Sequence, residues 1–160
     1  MMKNLSLWVL TLCTMTLMAG AQAPAKKPGE AVSLKGVSFK GEIKPGAAIT
    51  AVLQFQIQDG FHVQANPASE DTYVPAVLKL DPAVGVVSSP AKYPAGKEEK
   101  VTGLDKPLKV YEKTFEILVP MKLDTTASLP LSLTGTLSYQ ACKGSTCFPP
   151  RRLKVDLKLP

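Results

Sequence analysis

Apolar residues recur at every second position along most of this chain. Ile49, Ala51, Leu53, Phe55 and Ile57 alternate with Thr50, Val52, Gln54 and Gln56, and Phe115, Ile117, Val119 and Met121 alternate with Glu116, Leu118, Pro120 and Lys122. The pattern is cleanest for Leu129, Leu131, Leu133, Leu137 and Tyr139 against Ser132, Thr134, Thr136 and Ser138. Leu153, Val155, Leu157 and Leu159 repeat it against Lys154, Asp156 and Lys158. A period of two puts one face of each segment in a core and the other in water, so each predicts a strand. Shorter candidates lie at 32–40, 61–64, 74–80 and 84–88. No segment keeps a helical period, and 14 prolines spread along the chain would interrupt most helices. Turn signals such as Lys44-Pro45-Gly46, Gln58-Asp59-Gly60 and Asp81-Pro82 separate the runs. About seven or eight short strands of this kind predict an all-β fold of two packed sheets, an immunoglobulin-like antiparallel β-sandwich, with a closed barrel as the alternative.

The amino terminus has a different pattern. Lys3 precedes an apolar run from Leu5 to Met18, and Ala19-Gly20-Ala21 supplies small residues for cleavage. Residues 1–21 therefore read as a secretory signal peptide, cut after Ala21, and the protein as periplasmic or otherwise exported. A lipoprotein acylated at Cys13 fits less well, because Leu12 stands where a small residue is wanted. The run is shorter than the roughly 20 residues of a membrane span, so the mature chain is expected to have none. Residues 22–30, with two prolines and a glycine, read as a flexible tether, and 31–160 as one domain. Loss of Lys3 lowers the formal charge by one from +6. The remaining lysines are scattered, which favours solubility over a nucleic-acid surface.

The mature chain keeps two cysteines, Cys142 and Cys147, separated by Lys143-Gly144-Ser145-Thr146. In an oxidising compartment such close thiols are normally joined, and the flanking strands put them near the mouth of a hairpin. A loop so short gains only about 2 kcal/mol from closure in the chain-entropy model. Spacing alone leaves a structural staple and a redox couple level. Phe148-Pro149-Pro150 lacks two backbone donors and would hold Cys147 in a loop of fixed shape. Lys143, Arg151 and Arg152 are near enough in sequence to favour a thiolate. A soft-metal site of His62, Cys142, Cys147 and Met121 is a further reading, but it lacks the C-x-x-C or H-x-H spacing of dedicated sites. No cofactor is implied.

The segment from Leu137 through Tyr139-Gln140-Ala141-Cys142 to Cys147-Phe148-Pro149-Pro150 resembles the active-site hairpin of the amino-terminal periplasmic domain of the thiol:disulfide interchange protein DsbD family. Weaker similarity runs through Gln58-Asp59-Gly60-Phe61-His62-Val63 and Val110-Tyr111-Glu112-Lys113-Thr114-Phe115, covering roughly residues 31–160. The resemblance implies an immunoglobulin-like domain whose Cys142/Cys147 pair passes reducing equivalents to thioredoxin-fold partners, as a component of a protein-disulfide reductase system. It also implies Cys147 as first attacker and Tyr139, His62, Leu104 and Phe148 as supporting residues. Where the family places tyrosines, this chain offers His62 and Gln64. Where the family covers its disulfide with an aromatic loop residue, residues 102–107 offer Leu104. Full-length members continue into membrane and thioredoxin-like domains, so this chain is expected to rely on a separate DsbD-like membrane reductase. The alternative is a non-catalytic exported binding sandwich with a structural disulfide.

Export with cleavage after Ala21 gives a mature chain beginning at Gln22, read by intact mass of the secreted protein. A mass that retains residues 1–21, or a lipid on Cys13, contradicts the assignment.

Overall fold

The structure, a computed structural model, describes residues 27–160. The expected signal peptide and most of the tether lie outside these residues. Twelve strands are formed: β1 (Val32–Lys40), β2 (Ala48–Ile57), β3 (His62–Gln64), β4 (Val77–Leu80), β5 (Val86–Ser88), β6 (Lys97–Glu99), β7 (Leu108–Glu112), β8 (Thr114–Leu123), β9 (Leu131–Tyr139), β10 (Ala141–Lys143), β11 (Thr146–Cys147) and β12 (Arg151–Leu159). Among the described residues there is no helix.

The long alternating runs build two inner faces. In the sheet β1-β2-β8-β5, β2 and β8 are paired antiparallel with Leu53 opposite Ile117, Ala51 opposite Val119 and Phe55 opposite Phe115. The Phe55 and Phe115 rings stack at 5.1 Å between centroids. In the sheet β12-β9-β4, β9 is central, with Leu137 between Leu153 and Leu78. Side chains of both sheets share one core that includes Leu53, Phe55, Ile117, Leu137 and Leu157, all at most 5% exposed. Gly135 interrupts the apolar phase of β9 for a steric reason. A Cβ there would lie 2.6 Å from the Lys79 carbonyl and 2.8 Å from Leu80 Cδ2.

The expected all-β antiparallel fold is present, and beside the two expected sheets there is a third. The third, in the order β11-β10-β3-β7-β6, is made by strands that leave the other two. β9 enters β10 with only Gln140 between them, and β7 enters β8 through Lys113 alone, whose φ is 57°. A left-handed residue or an unpaired one turns a strand out of its ladder, which is how corners of sandwiches are made. The four strands absent from the pattern analysis, β6, β7, β10 and β11, all belong to this sheet. β6 is Lys-Glu-Glu, an edge strand with no apolar signal. β7 is buried at Leu108, Val110 and Tyr111, because both faces of this sheet are covered.

Lys27–Glu30, the end of the stretch read as a tether, forms a turn closed by Glu30 N–H donating to the Lys27 carbonyl at 2.9 Å. Arg151 Nε and Nη2 donate to the Pro28 carbonyl at 2.9 and 2.7 Å.

Gly135→Ala is expected to destabilise the domain by about 1–3 kcal/mol, since backbone and a core leucine must move. Gly36→Ala, where an added Cβ meets nothing within 4 Å, should stay within about 0.5 kcal/mol. Urea midpoints of the two variants measure the contrast.

Candidate functional site

Cys142 and Cys147 are cross-strand partners in the β10–β11 hairpin, with Lys143 opposite Thr146. Gly144, with φ of 57°, takes the first central position of the two-residue turn, a conformation that side chains rarely adopt. The pair is bonded as a disulfide with Cα atoms 3.9 Å apart. The two ends differ sharply in access. Cys142 is 0% exposed, whereas Cys147 is among the exposed residues.

Alternation decides what surrounds Cys142. β10 pairs with β3, placing Cys142 opposite His62 and Ala141 opposite Val63, and β3 pairs with β7, placing His62 opposite Glu112 and Gln64 opposite Val110. Cross-strand partners share a face. One face of the sheet therefore carries Cys147, Cys142, His62, Gln64, Val110 and Glu112. The other carries Ala141, Val63 and Tyr111, which belong to the main core. Val110 and Leu108 on the first face join Val101, with Tyr73 against them, in a second and separate apolar cluster.

Polar groups beside Cys142 are buried with few partners. Gln64 Nε2 donates to Cys142 Sγ at 3.8 Å, and Gln64 is 0% exposed. His62 Nδ1 lies 3.3 Å from Glu99 Oε2, at ion-pair distance without the alignment of a hydrogen bond. His62 Nε2 and Gln64 Oε1 have no hydrogen-bond partner among the described residues. Next to them, Lys97 Nζ donates to Glu112 Oε2 at 2.8 Å. That hydrogen bond, with smaller attractions from Lys97, His62 and Lys113 against some burial, holds the Glu112 carboxyl below its ordinary range.

The exposed arm is held by a different set of contacts. Phe148 N–H donates to the Ala141 carbonyl at 2.9 Å, and Gln140 Nε2 donates to the Phe148 carbonyl at 3.3 Å. The Gln140 Oε1 atom accepts from Val74 N–H at 3.2 Å. Between the partnered positions Cys142↔Cys147 and Tyr139↔Arg151, Phe148, Pro149 and Pro150 face only Ala141 and Gln140. The extra residue makes a bulge where proline cannot ladder. Phe148 packs on Phe61 at 5.8 Å between ring centroids, and Lys143 Nζ stands 5.8 Å from the Phe61 centroid. Gly29 closes the arrangement from behind, since a Cβ there would lie 2.7 Å from Phe148 Cβ.

The expected site residues divide accordingly. His62 and Phe148 come to the disulfide, as does Gln64. Tyr139 lies on the core face with 2% exposure, its phenol pKa raised by that burial. Leu104 is 41% exposed and lines a groove with Glu70, Tyr73 and Leu108 rather than covering the sulfurs. Its loop neighbour Val101 is the residue that packs inward. Met121 sits in β8 within the main core, on a different sheet from the cysteines, so the soft-metal grouping is not assembled. Among the described residues no three His, Cys, Asp or Glu side chains gather as metal ligands. Gln140 was part of the quoted motif without an assigned role. Glu99 and Val101 had no sequence signal, because β6 has no periodicity to place them.

A hairpin disulfide with one wholly buried and one exposed cysteine is thus carried by the third sheet of this antiparallel all-β domain. The chain matches the family model described as thiol:disulfide interchange protein DsbD, N-terminal, over residues 31–159, and it belongs to that family, an immunoglobulin-like fold. Similar solved structures include the DsbD N-terminal domain of Neisseria meningitidis in its reduced form, at 20% identity and TM-score 0.47 over 83% of this chain and 89% of that one. The N-terminal periplasmic domain of ScsB from Proteus mirabilis is 17% identical with TM-score 0.49, covering 84% of this chain and 49% of that one. The complex between the DsbD and PilB N-terminal domains from Neisseria meningitidis matches at 19% identity and TM-score 0.43, over 82% of this chain and 85% of that one. No curated protein sequence matches.

Gln140→Ala removes the acceptor of the Val74 amide and the donor to Phe148. Amide hydrogen exchange of Val74 should accelerate, with about 1–3 kcal/mol lost in stability. Unchanged exchange at Val74 would show that Gln140 does not clamp the two segments.

Proposed function

We propose that this domain is a periplasmic thiol–disulfide exchange module that passes reducing equivalents to or from thioredoxin-fold partners through Cys142 and Cys147. The single observation that carries the reading is the unequal access of the two sulfur-bearing residues, Cys147 exposed and Cys142 at 0%. A staple gains nothing from that asymmetry, whereas exchange requires one sulfur that a partner can reach and one held back to resolve the intermediate. Membership of the DsbD N-terminal family supports both the partner class and the compartment. A DsbD-like membrane reductase is the electron source that fits the same family.

In the reducing direction the Cys147 thiolate attacks one sulfur of a partner disulfide and expels the other as thiolate. A mixed disulfide links Cys147 to the partner. The Cys142 thiolate then attacks Cys147 Sγ and releases the second partner thiolate, so two electrons pass to the partner and the Cys142–Cys147 bond re-forms. Phe61 and Phe148 give the partner an apolar rim beside Cys147, and Lys143 adds positive charge there. That charge favours the thiolate form of an adjacent cysteine.

Cys142→Ser should trap a mixed disulfide between Cys147 and a thioredoxin-fold protein, seen on non-reducing gels. Cys147→Ser should trap none. The reduction potential of the native bond should lie above about −300 mV, the level below which structural disulfides typically fall. A potential near the structural range, with no trapped adduct, would leave the disulfide as a staple.

A further inference from the structure

Resolution of a mixed disulfide at Cys147 needs Cys142 as a thiolate, yet Cys142 is wholly buried. Burial in apolar surroundings raises a thiol pKa. Gln64 Nε2, 3.8 Å from Cys142 Sγ, can stabilise negative charge on sulfur but cannot accept a proton. The residue directly across the ladder from Cys142 is His62. Cβ atoms of such partners stand about 4.5–5.5 Å apart.

His62 is 3% exposed, its Nδ1 is 3.3 Å from Glu99 Oε2, and its Nε2 is buried without a partner among the described residues. Buried polar atoms are ordinarily satisfied, so an open nitrogen on the cross-strand neighbour of Cys142 has a physical meaning. With the Glu99 carboxylate 3.3 Å from Nδ1, a neutral imidazole protonated there would present Nε2 as a base. Catalytic contacts are often poorly aligned before the reacting complex forms, which accommodates the His62–Glu99 geometry.

We propose that His62 is the proton acceptor for Cys142 in the resolving step, with Glu99 positioning the imidazole; the assignment rests on the exchange reading above. The Cys142 S–H bond breaks and its proton passes to His62 Nε2. The sulfur electron pair forms the bond to Cys147 Sγ, and the partner sulfur leaves with the pair of the bond that breaks. The Glu99 side chain is 31% exposed and borders a groove of ≈ 220 Å³ shared with His62, so the proton has a route to solvent. The charged groups facing His62 are Glu99 from β6, Glu112 from β7, and Asp59 and Lys113 from the groove wall, with Lys97 bonded to Glu112. The Lys97 hydrogen bond holds the Glu112 carboxyl below its ordinary range, so Glu112 is not the destination of the proton.

The test reacts the reduced full chain with an aromatic disulfide, dithiobis-nitrobenzoate. Attack by Cys147 releases a first coloured thiolate, and resolution by Cys142 releases a second, so the two phases separate the two cysteines. In His62→Gln the first phase should be unchanged and the second at least about tenfold slower near neutral pH, its rate climbing with pH instead of levelling off. Glu99→Gln should slow the second phase less and move the pH at which it levels, and Glu99→Asp should restore it. Should His62→Gln fail to fold, the Glu99 pair decides. A second phase in His62→Gln within about twofold of wild type, with the same pH profile, overturns the proposal. Unchanged second-phase profiles in both Glu99 variants overturn the positioning role. A wild-type chain that releases no second thiolate removes the exchange reading itself, and this assignment with it.

Discussion

The constraint on which the site depends is the order of side chains along Tyr139-Gln140-Ala141-Cys142, where the chain passes from β9 into β10. Tyr139 and Ala141 are buried in the main core, with 2% and 0% exposure, and they fix the height and rotation of the strand. Because successive side chains point to opposite faces, Cys142 is delivered to the far side of the sheet. Its position follows from core packing and not from a flexible loop. The hairpin then brings Cys147 back over it, and the Pro149-Pro150 bulge ends the ladder before the register of β12 resumes.

A residue on this stretch thus serves two environments through its neighbours. Changes in the core at Tyr139 or Ala141 would move Cys142 relative to His62 and Gln64 without touching any of the three. Gln140 links the same stretch to the Val74 segment and to the Phe148 carbonyl, so the three chain segments around the disulfide share one amide side chain. The face behind the disulfide is thus unusual in burying His62 and Gln64 side chains whose Nε2 and Oε1 atoms have no hydrogen-bond partner among the described residues.

Most of the sandwich was legible in the sequence. The period-two runs of β2, β8, β9 and β12 sit in long ladders where one face meets the core and one meets water, the situation in which periodicity reports structure directly. β1 was also placed at Val32–Lys40. The third sheet was legible only at β3 and the cysteine hairpin, because β7 is short and buried on both faces and β6 is charged at an edge. The Cys142/Cys147 hairpin could be read from spacing and flanking strands. The grouping of His62 with Gln64 beside it came from resemblance. Glu99 and Val101 could not be placed, because their proximity is created by a sheet no pattern announced. Leu104 came from resemblance alone, and in the structure residues 102–107 are all exposed while the inward contact falls to Val101.

The separation of the small Val101, Leu108, Val110 and Tyr73 cluster from the main core has a thermodynamic consequence. Two apolar clusters that share no side chains need not melt together, and regions with few buried contacts open at a fraction of the global free energy. The outer face of the third sheet therefore has fewer buried contacts holding it than the sandwich core. Val110, in that small cluster, lies on the same face of the sheet as Gln64 and Cys142. Local accessibility on this face and resistance to global unfolding are then two separately adjustable quantities, one residing in four side chains and the other in the whole core.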